Sequence, residues 1–339
     1  DIMDNTSFDE SNSRSKLLEI LIANTGKIVP STLIIEKLHS SRQAISKLIK
    51  SLKDEGILIE AIPQKGYLLS KAEEAEQLSP TLINYFLRQN PIFHTSFYFK
   101  EVDSTQSVIK KLAQQNAPDG IVAIADIQNC GRGRRGRTWS NASGKNLIFS
   151  VLLRPRLRPG EVQLLNLAAG LAVRKVLSEY YNLNAELKWP NDILINNKKI
   201  CGILSEAAGE PDKIYYAITG IGLNVNMKNE DIPEEISDKA TSMFIESSVE
   251  NKRPLLLIRI LDVFANLLKQ MEEKDGLLKL LTQYRPYCAT IGRDVRIIQD
   301  EEEFCGRAVD VTDQGALIVR INANNVIFFF FFVHHLRLK

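Results

Sequence analysis

The chain has 339 residues, 44% hydrophobic and 25% charged, with a net charge of +2. This is the composition of a globular protein too long for a single growing core, and its net charge selects no polyanionic partner. No apolar run reaches the roughly 20 residues that cross a bilayer. Asp1 to Ser13 is acidic and polar, unlike a secretory signal. Cys130, Cys201, Cys288 and Cys305 show neither CxxC nor zinc-type spacing. A cytoplasmic protein with reduced thiols, no metal site of its own and no membrane contact is expected.

In chain order, Leu17, Leu18, Ile20, Leu21 and Ile22 predict a short helix from Lys16 that stops near Asn24-Thr25-Gly26. A second helix is expected after a cap at Ser31 or Thr32, with Leu33, Ile34, Ile35 and Leu38 buried. Ser41 caps a third, in which Ala44, Ile45, Leu48, Ile49 and Leu52 face inward and Arg42, Gln43, Ser46, Lys47, Lys50 and Lys53 outward. After Gly56 the period becomes alternating, and Ile57–Ile62 and Tyr67–Leu69 around Pro63–Gly66 predict a β-hairpin.

Three short helices and a hairpin make a winged helix-turn-helix over residues 1–72. DNA contacts are then expected from the Ser31–Lys50 region, chiefly Ser41, Arg42, Gln43, Ser46, Lys47 and Lys50. Residues 11–70 carry nine Lys/Arg against five Asp/Glu, the right sign for that partner. The same order of elements also suits a small dimerisation or protein-binding module. Lys71 to Ser79 reads as a connection.

Tyr98–Val102 predicts a strand ending at Asp103-Ser104-Thr105, where a helix containing Val108, Ile109 and Leu112 begins. Such a junction either holds an acyl or ureido group or simply caps the helix. Ile121–Gln128 is an apolar strand, and the loop Gly131–Arg137 leaves its end with four arginines and three glycines. Guanidinium forks and glycine-freed amides suit phosphate or carboxylate oxygens. A solvated basic loop or a nucleic-acid patch has the same composition, but attachment to a buried strand favours a binding loop.

Trp139 and a strand over Asn146–Leu153 follow, then a helix over Glu161–Tyr181. Between two apolar strands lies Lys188-Trp189-Pro190-Asn191-Asp192, unusual chemistry for a turn. Asn196-Asn197 predicts a hairpin, Ile200–Glu206 and Tyr215–Ile221 are strands, and Gly220-Ile221-Gly222-Leu223-Asn224 suggests close backbone approach to a ligand.

The Gly/Arg loop after Gln128, Lys188–Asp192, Cys201-Gly202-Ile203-Leu204 and Gly220–Asn224 together resemble the biotin protein ligase family, from about residue 97 to 320. The front module makes the chain similar to the bifunctional type, ligase and biotin operon repressor in one. The resemblance implies an α+β protein. Its parts are the winged module, a central mixed α/β ligase domain of class II synthetase-like, biotin/lipoate ligase type over 80–285, and an SH3-like C-terminal β-barrel over 286–339. The barrel motifs are Gly292–Val295 and Asp313–Val319, with Phe328–His335 replacing the usual ending. Phe328–Phe332 would put aromatics on both faces of a strand.

The implied reaction joins biotin to ATP, with magnesium accompanying the nucleotide. The resulting biotinyl-5′-AMP passes its biotinyl group to a lysine of the biotin carboxyl carrier protein of acetyl-CoA carboxylase. Carried over, the catalytic residues are Lys188 at the reacting centre, Arg134 and Asp192. The biotin and adenylate contacts are Ser104, Thr105, Gln106, Gln128, Arg132, Gly133, Arg134, Trp139, Lys188, Asn191, Gly202, Ile203, Gly222 and Asn224. Gln106 replaces the asparagine of many members. Asp192 and Lys199 are candidates to receive the incoming lysine, and Trp189 either packs or touches adenine. The resemblance also implies loop closure over the adenylate and an adenylate-bound homodimer on operator DNA. A non-catalytic biotin-sensing regulator and a lipoate ligase are the competing readings.

Overall fold

A computed structural model describes residues 6–75, 77–131, 133, 144–299, 302–322, 325–329 and 335–338. The chain divides into two compact units. One comprises Asp1–Asn90, His94–Tyr98 and Lys252–Ile258; the other comprises the remainder.

In the first unit the order is α1 (Thr6–Ile22), β1 (Ile28–Pro30), α2 (Ser31–Leu38), α3 (Arg42–Asp54), β2 (Ile59–Ile62), β3 (Gly66–Leu69) and α4 (Pro80–Leu87). Leu17, Leu18, Leu21, Ile34, Ile45, Ile49 and Leu52 form its core, as the helical spacing requires. The hairpin falls where the alternation places it, with Ile62 opposite Gly66. Helix α1 begins well before Lys16, because its first turns are too polar to show an apolar period. Strand β1 joins the hairpin through Ile28 opposite Leu68, and at three residues it is too short to predict. Pro30, not Ser31 or Thr32, precedes α2, and no side chain caps that helix. Ser41 does cap α3, its hydroxyl accepting the Ala44 N–H at 3.2 Å.

Two polar clusters hold α4. The Glu55 carboxylate, at the end of α3, accepts from Arg14 at 3.0 Å, from the Ser79 hydroxyl, and from the Thr81 amide and hydroxyl at 3.2 and 2.9 Å. Asn84 accepts the Ser96 amide at 2.6 Å and donates to the Ser96 carbonyl at 3.3 Å. Its side-chain amide thus copies one rung of a β-ladder.

The second unit holds all of a seven-stranded sheet except the first residues of β4, together with α5 (Thr105–Gln114) and α6 (Leu164–Tyr181). The strands are β4 (Thr95–Val102), β5 (Ile121–Gln128), β6 (Leu147–Leu153), β7 (Glu186–Lys188), β8 (Asp192–Ile195), β9 (Lys198–Glu210) and β10 (Lys213–Leu223), in the order β4-β5-β6-β10-β9-β8-β7. The apolar run Ile121–Gln128 is β5 to the residue, and β6 is buried along its length. Asn196 and Asn197 make the β8–β9 turn with φ of 51° and 62°, which asparagine tolerates. Helices α7 (Met243–Ser247), α8 (Arg253–Met271) and α9 (Gly276–Tyr284) follow, in a stretch the sequence analysis leaves unassigned.

The C-terminal part is an antiparallel five-stranded sheet of β11 (Asp294–Gln299), β12 (Glu302–Val311), β13 (Leu317–Asn322), β14 (Asn325–Phe329) and β15 (His335–Leu338), ordered β14-β13-β12-β11-β15. Alternation puts Phe328 outward, 53% exposed, and Phe329 inward, edge-on to Phe304 at 5.2 Å. Phe330–Phe332 lie outside the described residues. Among the described residues no helix is long and apolar enough to cross a membrane.

Candidate active site

Strand register assembles the site. Lys188 pairs with Asp192, Asp192 with Gly202, Gly202 with Gly222, Gly222 with Ile148, and Ile148 with Ala125. Directly paired residues point to the same face, so these six form one transverse row. Two neighbouring glycines leave its centre without side chains, a trough that ends at a lysine and a carboxylate.

Helix α5 lies on that face beside the trough. Gly220, two residues from Gly222, would bring an added Cβ to 3.0 Å from the Gln106 amide nitrogen, which itself donates to the Leu204 carbonyl at 2.8 Å. Gln128 Oε1 accepts from the Thr105 amide at 2.7 Å and the Thr105 hydroxyl at 3.0 Å. The Ser150 hydroxyl lies 2.7 Å from that of Thr105. Since the Thr105 proton goes to Gln128, Ser150 is the donor of this last bond. Ser104 precedes α5, is 2% exposed and makes no side-chain cap. Gln128 therefore serves the first amide of the helix, which the sequence left to Ser104.

The end of β5 is stitched to the same junction. The Asn129 amide donates to Val102 at 3.1 Å and the Cys130 amide to Asp103 at 2.9 Å. The Gly/Arg loop leaves from this point. Arg132, Arg134 and Trp139 lie outside the described residues, and Gly133 is half-buried. The chain returns at Lys145, whose ammonium holds Asp231 at 2.6 and 2.7 Å. Asn146 follows, accepting the Val225 amide at 3.2 Å.

Asp192 lies between two cations: Lys199 Nζ at 2.7 Å from one carboxylate oxygen and Lys188 Nζ at 3.8 Å from the other. All three side chains are partly exposed. Asn191 pairs twice with Ile203, donating from Nδ2 to its carbonyl at 2.9 Å and accepting its amide at 2.9 Å.

Some expected contacts are placed elsewhere. The Ile203 side chain lies on the opposite face, toward Gly170 of α6, because strand side chains alternate; only its backbone reaches Asn191. Asn224 is buried and its amide donates to the Thr241 carbonyl at 3.0 Å. The Trp189 indole is 1% exposed and donates to the Gly315 carbonyl at 2.9 Å, so it packs against the C-terminal turn. Ser150 was missed, although a serine within an otherwise apolar strand was a visible signal. Burial is the largest cause raising the Cys201 thiol pKa; the Lys199 charge opposes it and the Asp192 charge adds to it. Among the described residues no three His, Cys, Asp or Glu side chains form a metal cluster.

Residues 98–224 match the biotin/lipoate A/B protein ligase family, 13–68 an HTH domain, and 290–329 the biotin protein ligase C-terminal domain. The bifunctional ligase/repressor BirA of Bacillus subtilis (strain 168) is 34% identical over 313 residues, covering 92% of this chain and 95% of that protein. The protein of the same name from Escherichia coli (strain K12) is 28% identical over 303 residues, covering 88% and 90%. A solved biotin protein ligase from Aquifex aeolicus in complex with biotin and ATP is 30% identical, with a TM-score of 0.64, covering 73% of this chain and all of that one.

Proposed function

The chain belongs to the biotin protein ligase family in its bifunctional ligase/repressor form, and from this we propose how its residues divide the work. It is an ATP-dependent biotin ligase with repressor function. The observation that carries the assignment of residues is the row from Lys188 and Asp192 across Gly202 and Gly222 to the α5 junction.

In our reading the biotin ring lies over the glycine trough beside Ser104, Thr105, Gln106 and Gln128, with its carboxylate toward Lys188. The carboxylate oxygen attacks the α-phosphorus of ATP, the bond to pyrophosphate breaks, and biotinyl-5′-AMP forms. Two anions must meet, so neutralising charge matters more than a general base. Lys188 is the cation on the row, and Asp192 with Lys199 fixes its direction. Arg132 and Arg134 supply the remaining positive charge to carboxylate and phosphate. The amine of the carrier-protein lysine then attacks the biotinyl carbonyl and AMP leaves. Magnesium, in this reading, arrives on the triphosphate, whose oxygens suit a hard cation that keeps part of its water.

The outer face of α3 supports the repressor role: Ser41, Arg42, Gln43, Ser46, Lys47 and Lys50 are exposed while Ile45, Ile49 and Leu52 are buried. We assign these six to operator DNA and place the adenylate as the ligand that favours a homodimer spanning two half-sites.

The test of the ligase assignment is biotinyl-adenylate formation by Lys188→Ala. A fall of about a hundredfold is expected, since removing one preorganised charge-stabilising group costs on that order. A wild-type rate removes Lys188 from the reacting centre. For the repressor face, Lys50→Ala should weaken binding to a palindromic operator duplex and lower its salt slope by about one. An unchanged slope removes Lys50 from the phosphate contacts.

A further inference from the structure

The backbone on both sides of Lys188 is held by residues that belong to the approach to the C-terminal sheet. On one side the Leu187 carbonyl accepts the Ala289 amide at 2.8 Å, within a parallel bridge between Leu187 and Cys288. On the other, the Trp189 amide donates to the Thr290 hydroxyl at 3.0 Å, and the Trp189 indole donates to Gly315 at 2.9 Å. Thr290 is fully buried and Trp189 nearly so. A buried donor deprived of its acceptor is costly, so these contacts fix one backbone position.

The acceptor at Gly315 is itself prepared. The Thr312 amide donates to Ala316 at 2.8 Å and the Gly315 amide to Thr312 at 2.9 Å, while the Thr312 hydroxyl accepts from the Gln314 and Ala316 amides. Gly315 has a φ of 83°, which glycine adopts without strain. A fourth contact reaches the turn beyond Asp192: Arg293 donates to Asn197 Oδ1 at 2.7 Å.

We propose that Thr290 and Trp189 are positioning residues for the ligation chemistry. Through them the C-terminal sheet sets the place of Lys188 while contributing no side chain to the transverse row. This rests on the reading of Lys188 as the cation at the reacting centre. A displacement of about 1 Å at such a group can cost about a hundredfold in rate. Binding of biotin, whose ring contacts lie at the α5 junction, is left largely unaffected.

The experiment measures single-turnover biotinyl-adenylate formation by the full chain, with biotin affinity measured separately by calorimetry. Thr290→Val removes the acceptor at nearly constant shape, and Thr290→Ser keeps it. Thr290→Val should slow adenylate formation by about tenfold or more with biotin affinity unchanged, and Thr290→Ser should restore the rate. Trp189→Phe should follow Thr290→Val. A wild-type rate for Thr290→Val, an equal loss in Thr290→Ser, or a rate loss matched by lost biotin affinity overturns the proposal. Lys188→Ala separates the two readings. If it is inactive while Thr290→Val is fully active, only the positioning role falls; if it is fully active, both fall.

Discussion

Gly202 and Gly222 stand directly opposite each other on β9 and β10, and no side chain rises from the sheet at either position. Valine suits a strand backbone and Gly202 is only half-buried, so Gly202→Val should fold. Its two methyl groups would occupy the trough. Biotin affinity should fall by about tenfold or more, the effect of a misfit of a few methyl groups in a binding pocket, with little change in melting temperature. Calorimetric titration and a thermal melt on the same sample check this. Unchanged affinity would place the biotin ring elsewhere.

Glu55 gathers four donors from three residues, one on α1 and two at the start of α4, while its side chain is 13% exposed. Glu55→Ala leaves those donors partly unserved and should destabilise the first unit by about 2 kcal/mol, the range for hydrogen bonds to a charged group. Glu55→Gln keeps acceptor capacity and should cost less. Urea unfolding followed by far-ultraviolet circular dichroism distinguishes the two.

The Lys145 side-chain hydrogen bond is the largest cause holding the Asp231 carboxyl below its ordinary pKa of 3.8. A depressed folded pKa means the pair stabilises the protein above the unfolded value and loses that contribution as pH falls through the folded one. The pair is partly exposed, so the amount is small, about 0.5 kcal/mol. Thermal melts of the protein and of Lys145→Ala should differ at neutral pH and converge below pH 3.8. A gap that persists in acid would assign the effect to packing of the lysine stem.

None of the four cysteines forms a disulfide; Cys130 and Cys305 are exposed and Cys201 and Cys288 buried. Burial also raises the Cys201 and Cys288 thiols, leaving little thiolate to react. Iodoacetamide on the native protein should label Cys130 and Cys305 alone, and all four after denaturation. Peptide mass spectrometry reads the outcome, and native labelling of Cys201 would contradict its burial on β9.

Local signals were legible where one pattern dominated. The unbroken run of β5, the capping serine at Ser41 and the Asn196-Asn197 turn each state their conformation within a few residues. The site was legible as chemistry, since Lys188, Asp192, Gly202 and Gly222 were all singled out. Their adjacency was not, because cross-strand register is set by pairings between distant segments. The contact of Trp189 with Gly315 spans 126 positions and leaves no local trace. Helix α1 shows the reverse failure: its polar first turns hide a helix that the pattern begins only at Lys16.

The Asn84 amide on Ser96 matters for solubility as well as for structure. Strand β4 is one edge of the seven-stranded sheet and β7 the other. At Ser96 both backbone groups are engaged by a side chain, and at Leu187 the carbonyl is taken by Ala289. Exposed edges recruit strands from other chains and seed aggregates. At Ser96 an incoming strand finds no vacant partner and at Leu187 no vacant carbonyl, so a single asparagine closes one rung and a short return of the chain half-closes the other.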